Sequence, residues 1–246
     1  MTGAWVFACI VGAFAGAGLC LAVFNAVPAK WLCDYGEQPE PELEGTRLLF
    51  WPHGTGMALI LAVSFLLLHR QYSSGNFYFY AGCTVALILL LIAAADLKYR
   101  IIPDQFILAL LAAALIFDGY DLLGGDRLFH SEWFSPVLGA AAGAGLMFLL
   151  GQLGRLAYHK EALGFGDVKL FGAVGLLAGF PQIFLIFFMM IFLAFFYIIV
   201  QALRGKQLKN RYLPLGPYIC LALFLFLAFR SQITILAGWY FSLLNL

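Results

Sequence analysis

Two aspartates stand at the edges of apolar runs, where a charged side chain is costly and marks a functional site by default. Asp96 closes one run in LLLIAAADLKYRIIPD, and Asp167 opens another in EALGFGDVKLFG. They are 71 residues apart, so only the packing of distant segments can bring them together. Two carboxyls held close in a low dielectric cannot both ionise comfortably, and they share one proton. One is then a base and the other an acid at the same pH. Amide hydrolysis by an activated water needs such a pair and no metal. The same carboxylates could instead bind a cation or relay protons in a transporter, so the residue types alone leave both chemistries open.

The neighbours of Asp167 bear on that choice. Gly164 and Gly166 flank Phe165 directly before the carboxylate. Glycine lets another backbone come close, which suits an enzyme that must hold an extended peptide against its acid. A plain turn into a helix, with Asp167 as its cap, uses the same residues. Each aspartate is followed two residues on by a lysine, Lys98 and Lys169. Both lysines are expected to snorkel toward lipid headgroups, and a cation so near also favours an ionised carboxylate.

The elements that must position these groups are membrane helices. Of the 246 residues, 63% are hydrophobic and 11% charged, against about 25% charged in a soluble domain. The mean hydropathy is +0.93. A span takes about 20 apolar residues, and apolar runs lie at about 4–26, 51–69, 77–95, 105–117, 135–157, 168–180, 182–203 and 214–229. The expected fold is all-α, a polytopic integral membrane helical bundle of about eight transmembrane helices. A further apolar stretch, 233–245, is expected to extend the last helix or lie at the interface. No Lys or Arg precedes the first run, so it is expected to be a transmembrane helix and not a signal peptide. Residues 1–74 form an N-terminal membrane region with two helices, and residues 75–246 form the core that carries both aspartates.

Charge sets the expected orientation. The loops after the first, third, fifth and seventh runs, with the span ends, hold eleven of the fourteen Lys and Arg residues; the other side holds Arg70, Arg127 and Arg230. The positive-inside rule puts the eleven in the cytoplasm. Both termini are then outside, and Asp96 and Asp167 both face the cytoplasmic side. The first cytoplasmic loop carries Asp34, Glu37, Glu40, Glu42 and Glu44, a solvated stretch that could also attract a basic peptide.

Taken as a set, LGFGDVKL, AADLKYRIIPD and LPLGPYICLA resemble the prepilin peptidase family of GxGD aspartyl proteases, over roughly residues 75–230. The family pattern falls on Asp96; on Pro103 and Asp104; on Gly164, Gly166, Asp167 and Lys169; and on Pro214, Gly216 and Pro217, with Glu161 also fitting. The resemblance implies an aspartic endopeptidase of the bacterial cytoplasmic membrane. Its implied partners are prepilins and pilin-like secretion or competence proteins, whose short basic leaders it would remove at the cytoplasmic face. It implies Asp96 and Asp167 as the catalytic pair, with Lys98 and the other motif residues in support. No cofactor, metal or nucleic acid is expected, and membrane lipid is a further expected partner. Many members carry two CxxC pairs in the first cytoplasmic loop and also methylate the new N-terminus. Here that loop offers only Cys33, one thiolate where a structural zinc site takes four ligands, so peptidase activity alone is expected.

The remaining polar residues are assigned bland roles. Asp104 directly precedes the fourth run, where the helix dipole favours an acid and it can cap the first turn. Asp118, Asp121, Asp126 and Glu132 are expected to be solvated in an outer loop. His53, His69, His130 and His159 have no metal-ligand spacing. Gly12 with Gly16, Gly139 with Gly143, and Gly175 with Gly179 are spaced for close helix packing.

Overall fold

The structure, a computed structural model, describes residues 3–27, 47–73, 76–124, 132–158, 163–205, 213–233 and 235–236. Each of the eight apolar runs becomes a helix. They are α1 (Gly3–Ala26), α2 (Thr55–Tyr72), α3 (Phe77–Tyr99), α4 (Asp104–Leu123), α5 (Ser135–Tyr158), α6 (Phe165–Ala178), α7 (Gln182–Leu203) and α8 (Gly216–Ala228). A π-type turn, Phe50–Gly54, leads into α2. No strand occurs among the described residues, and the chain is an all-α, multi-pass membrane protein.

Six of these segments are long and apolar enough to cross a membrane: α1, Phe50–Tyr72, α3, α4, Ser135–Leu156 within α5, and α7. The other two are the shortest. Helix α6 has 14 residues and α8 has 13, which at 1.5 Å per residue reach about 21 and 20 Å of a hydrocarbon core about 30 Å thick. Most of the 233–245 stretch lies outside the described residues.

The chain divides into two compact units. The first is Met1–Ala26, Arg47–Leu87 and Leu223–Leu246. There α1 packs on α2, with Gly12 against the Phe65 ring and Gly16 against Leu61. Asn25 exchanges two hydrogen bonds with the backbone of Leu48, at 2.9 and 3.0 Å. The Tyr72 hydroxyl donates to the Leu227 carbonyl at 2.8 Å. His69 stacks on Trp5.

The second unit is Val27–Thr46 and Ile88–Ala222, and α6 is its central helix. Helices α4, α5 and α7 all pack on it. Eight of its fourteen residues are therefore buried: Asp167, Leu170, Phe171, Ala173, Val174, Gly175, Leu177 and Ala178. The closest approach is to α5. A Cβ on Gly139 would collide with the Gly175 carbonyl and with Gly179, and a Cβ on Gly175 would collide with the Gly139 carbonyl. The two glycine pairs thus face each other across one contact. Its far end is closed where Ser135 Oγ donates to the Phe180 carbonyl at 2.9 Å.

Helix α4 overturns one expectation. It runs through Leu123, so Asp118 and Asp121 lie inside the helix and not in a solvated loop. Both are buried, at 5% and 0% exposure, and both are engaged in interactions there. Apolar runs end at the first charge, but the helix does not. Ala114, Phe117, Asp118 and Asp121 follow the three-and-four spacing of one inward face.

The glycine contact yields a prediction. Gly139→Ala forces α5 and α6 apart and should destabilise the protein by about 1–3 kcal/mol. Gly145→Ala, where a Cβ meets nothing within 4 Å, should cause no loss. Thermal unfolding of the two variants in the same detergent distinguishes them; equal melting curves would remove the contact from the fold's essential features.

Candidate active site

Asp96 lies in the last turn of α3 and is 3% exposed. Helix α3 stops just beyond it, where the Arg100 N–H bonds to the Asp96 carbonyl at 2.9 Å and Arg100 takes a left-handed conformation, φ 56°, rare for a residue with a side chain. The carboxylate is met from α8. The Gly216 N–H donates to Asp96 Oδ2 at 2.9 Å. That donor is available because Gly216 opens α8, and the first N–H groups of a helix have no partner within it. The helix N-terminus also carries partial positive charge, which favours a carboxylate there. Pro217 follows in the first turn, where a missing N–H is harmless. Gly216 itself is demanded by space: a Cβ would lie 2.7 Å from Asp96 Oδ2 and 3.1 Å from Cγ. Pro214, just upstream, is half-buried in the segment leading into α8.

Asp167 is the third residue of α6, is 4% exposed, and belongs to the same unit. Gly164 is the N-cap, and the Asp167 carboxyl turns back on the Gly164 backbone, as an acid at this position does in a capping box. At Gly164 the backbone is extended, φ −71° and ψ 145°, a conformation open to most residues. Gly166 is tied to crowding instead. A Cβ there would lie 3.3 Å from Cβ of Ile102, a residue of the link between α3 and α4. Asp96 lies within electrostatic reach of Asp167.

Cys220 stands one turn beyond Gly216 on the same face of α8. It is buried, lies against the Ala93 backbone of α3, and is within electrostatic reach of both aspartates. It was not among the candidate site residues read from the sequence; its spacing of four from Gly216 was the signal that it shares the site.

The fate of Lys169 corrects another expectation. It does not snorkel to the headgroups. Its Nζ donates to both carboxylate oxygens of Asp104, at 2.8 and 2.6 Å, and lies over the Phe165 ring. Asp104 is the first residue of α4; the N-cap is Pro103, and no side chain caps the helix. The acid thus spends its carboxylate on a neighbouring helix and not on its own backbone. Lys98 lies over the Tyr99 ring, 4.7 Å from its centroid. Glu161, the acidic first loop and Cys33 lie outside the described residues. Among the described residues no group of three or more His, Cys, Asp or Glu could hold a metal ion.

Helical membrane proteins with two buried carboxylates in one compact unit are the class this arrangement defines. Within it, the chain belongs to the type IV leader peptidase family. The model of that family matches residues 83–199, which include Asp96, Pro103, Asp104 and the segment from Gly164 to Lys169. The leader peptidase HopD of Salmonella typhimurium is 32% identical over 137 residues, 55% of this chain and 84% of that protein. The prepilin leader peptidase/N-methyltransferase of Aeromonas salmonicida is 28% identical over 162 residues, 66% of this chain and 52% of that protein. Its namesake in Bacillus subtilis is 28% identical over 135 residues, 54% and 48% of the respective lengths. The chain therefore spans about half the length of these last two relatives. No solved structure matches it.

Gly216→Ala tests the carboxylate's seat. The new methyl must displace Asp96 and break its bond from the Gly216 N–H, a charge-assisted bond whose loss costs about 1.5–3 kcal/mol. The expected result is a lower melting temperature in the same detergent. An unchanged melting temperature would show that the N–H contact does not hold the carboxylate.

Proposed function

We propose that this protein is an intramembrane aspartic endopeptidase that removes the basic leader from prepilins and pilin-like proteins. The observation that carries the reading is two buried carboxylates, Asp96 and Asp167, in one compact unit, each set against the N-terminus of a short helix. Such a pair holds one proton between its members. The ionised member takes a proton from water as the water oxygen attacks the scissile carbonyl carbon. The protonated member gives its proton to the carbonyl oxygen, and the amine leaves with a proton as the tetrahedral species collapses. Pro103 and Pro214 frame the segments beside the pair, and the peptidase core is residues 75–246.

The names of the relatives support a prepilin as the substrate, and the charge asymmetry of the loops supports cleavage at the cytoplasmic face of a bacterial inner membrane with both termini outside. The acidic first loop fits a basic leader. With Cys33 as the one cysteine between the first two helices, the activity proposed is peptidase without N-methylation.

Asp96→Asn and Asp167→Asn decide the matter. Each keeps the side chain's shape and removes its acid–base function, worth at least about a hundredfold. Each should insert normally and leave a co-expressed prepilin uncleaved on a gel. Normal processing by either variant would overturn the proposal. Ion flux through vesicles reconstituted with the wild-type chain, lost in both variants, would assign the same carboxylates to transport instead.

A further inference from the structure

Two contacts hold the start of α6 against the segment that follows α3. The first is Gly166 on Ile102, and the second is the two-pronged ion pair of Lys169 with Asp104. Gly166 and Lys169 are three residues apart and lie on one face of α6. Ile102 and Asp104 come from the short link and first residue of α4, which continue directly from the end of α3 that carries Asp96. Asp167 sits between Gly166 and Lys169 in sequence. At about 100° per residue, its side chain leaves the helix about 100° from Gly166 and about 160° from Lys169. The clamped face and the carboxylate face therefore differ, and a turn of α6 about its own axis would swing Asp167 relative to Asp96.

We infer that the Asp104–Lys169 ion pair is a positioning device that fixes the rotation of α6, and through it the separation of Asp96 and Asp167. This rests on the aspartic protease reading above and names a role for two residues outside the aspartate pair, engaged with each other. The pair is well made for the task. Both side chains are about three-quarters covered, at 26% and 28% exposure, so water screens the attraction only in part. Lys169 is further steadied by the Phe165 ring. Its ammonium meets both oxygens of the carboxylate, so rotation of α6 in either direction lengthens at least one bond. The left-handed turn at Arg100 and the seating of Ile102 make the link a short, shaped strut between the two aspartates' helices.

The test is a charge exchange in the full chain, purified in detergent, with cleavage of a purified prepilin followed at varied substrate concentration. Lys169→Ala and Asp104→Ala should each lower kcat, by up to about a hundredfold for a displacement near 1 Å, with little change in KM and in melting temperature. The double variant Lys169→Asp with Asp104→Lys restores the pair with reversed polarity, and should recover at least about tenfold in kcat over either single reversal, as a mutually dependent pair does. Singles without effect on kcat, or a double reversal no better than the product of its singles, would overturn the inference. A rise in KM as the main effect would also overturn it, because the side chains would then be binding substrate. Asp96→Asn and Asp167→Asn run alongside. If they are inactive while the exchange fails to rescue, the ion pair is not the device and the protease reading stands; if they cleave normally, that reading itself has failed.

Discussion

A carboxylate inside an apolar bundle needs a hydrogen-bond donor that brings no bulk and no competing charge, and the bond from the Gly216 N–H to Asp96 is that donor. Much of the second unit follows from it. A backbone N–H is free only at the start of a helix, so α8 has to begin where α3 ends. Asp167 imposes the same condition on α6, whose first turn receives its carboxyl. The two shortest of the eight helices are thus the two whose N-termini meet the aspartates.

Having started inside, α6 needs protein around it, because lipid offers nothing to the polar ends of a helix. Helices α4, α5 and α7 supply that cover. The facing pairs Gly139/Gly143 and Gly175/Gly179 let α5 come to within backbone contact, where dispersion between close-packed atoms replaces a hydrophobic drive that lipid cannot provide. These four glycines and Gly216 do different jobs. The first four let two helices touch; Gly216 lets a carboxylate touch a helix end.

How much of this was legible in the residues can be judged from particular cases. All eight helices were visible, because a membrane demands long apolar runs and the chain could not hide them. Their ends were less visible. Asp118 and Asp121 look like loop residues to any count of hydropathy, and only their spacing with Ala114 and Phe117 places them on the inward face of α4. Asp96, Asp167 and Gly216 could be picked out by type and motif, but nothing in LPLGP says that the glycine's N–H points at an aspartate 120 residues earlier. The partnership of Lys169 with Asp104 spans 65 residues and was hidden by a simpler use for a lysine beside a membrane. Cys220 was hidden for a similar reason, since a cysteine in an apolar run has no feature that distinguishes a site residue from a packing residue.

The ion pair also shows why stability and alignment are separate properties of this fold. A partly exposed pair contributes about 0–1 kcal/mol, far less than burying the eight inward residues of α6. Removing it would leave the helix packed. Yet the glycine contact fixes mainly how near α5 lies, and the buried apolar side chains of α6, such as Leu170 and Phe171, pack without a preferred bonding direction. Directional resistance must come from groups with defined bonding geometry, and at this end of the helix those are Asp104 and Lys169. A small term in the total free energy can therefore be a large term in the narrower balance among rotations of one helix, and it is that balance which sets where Asp167 points.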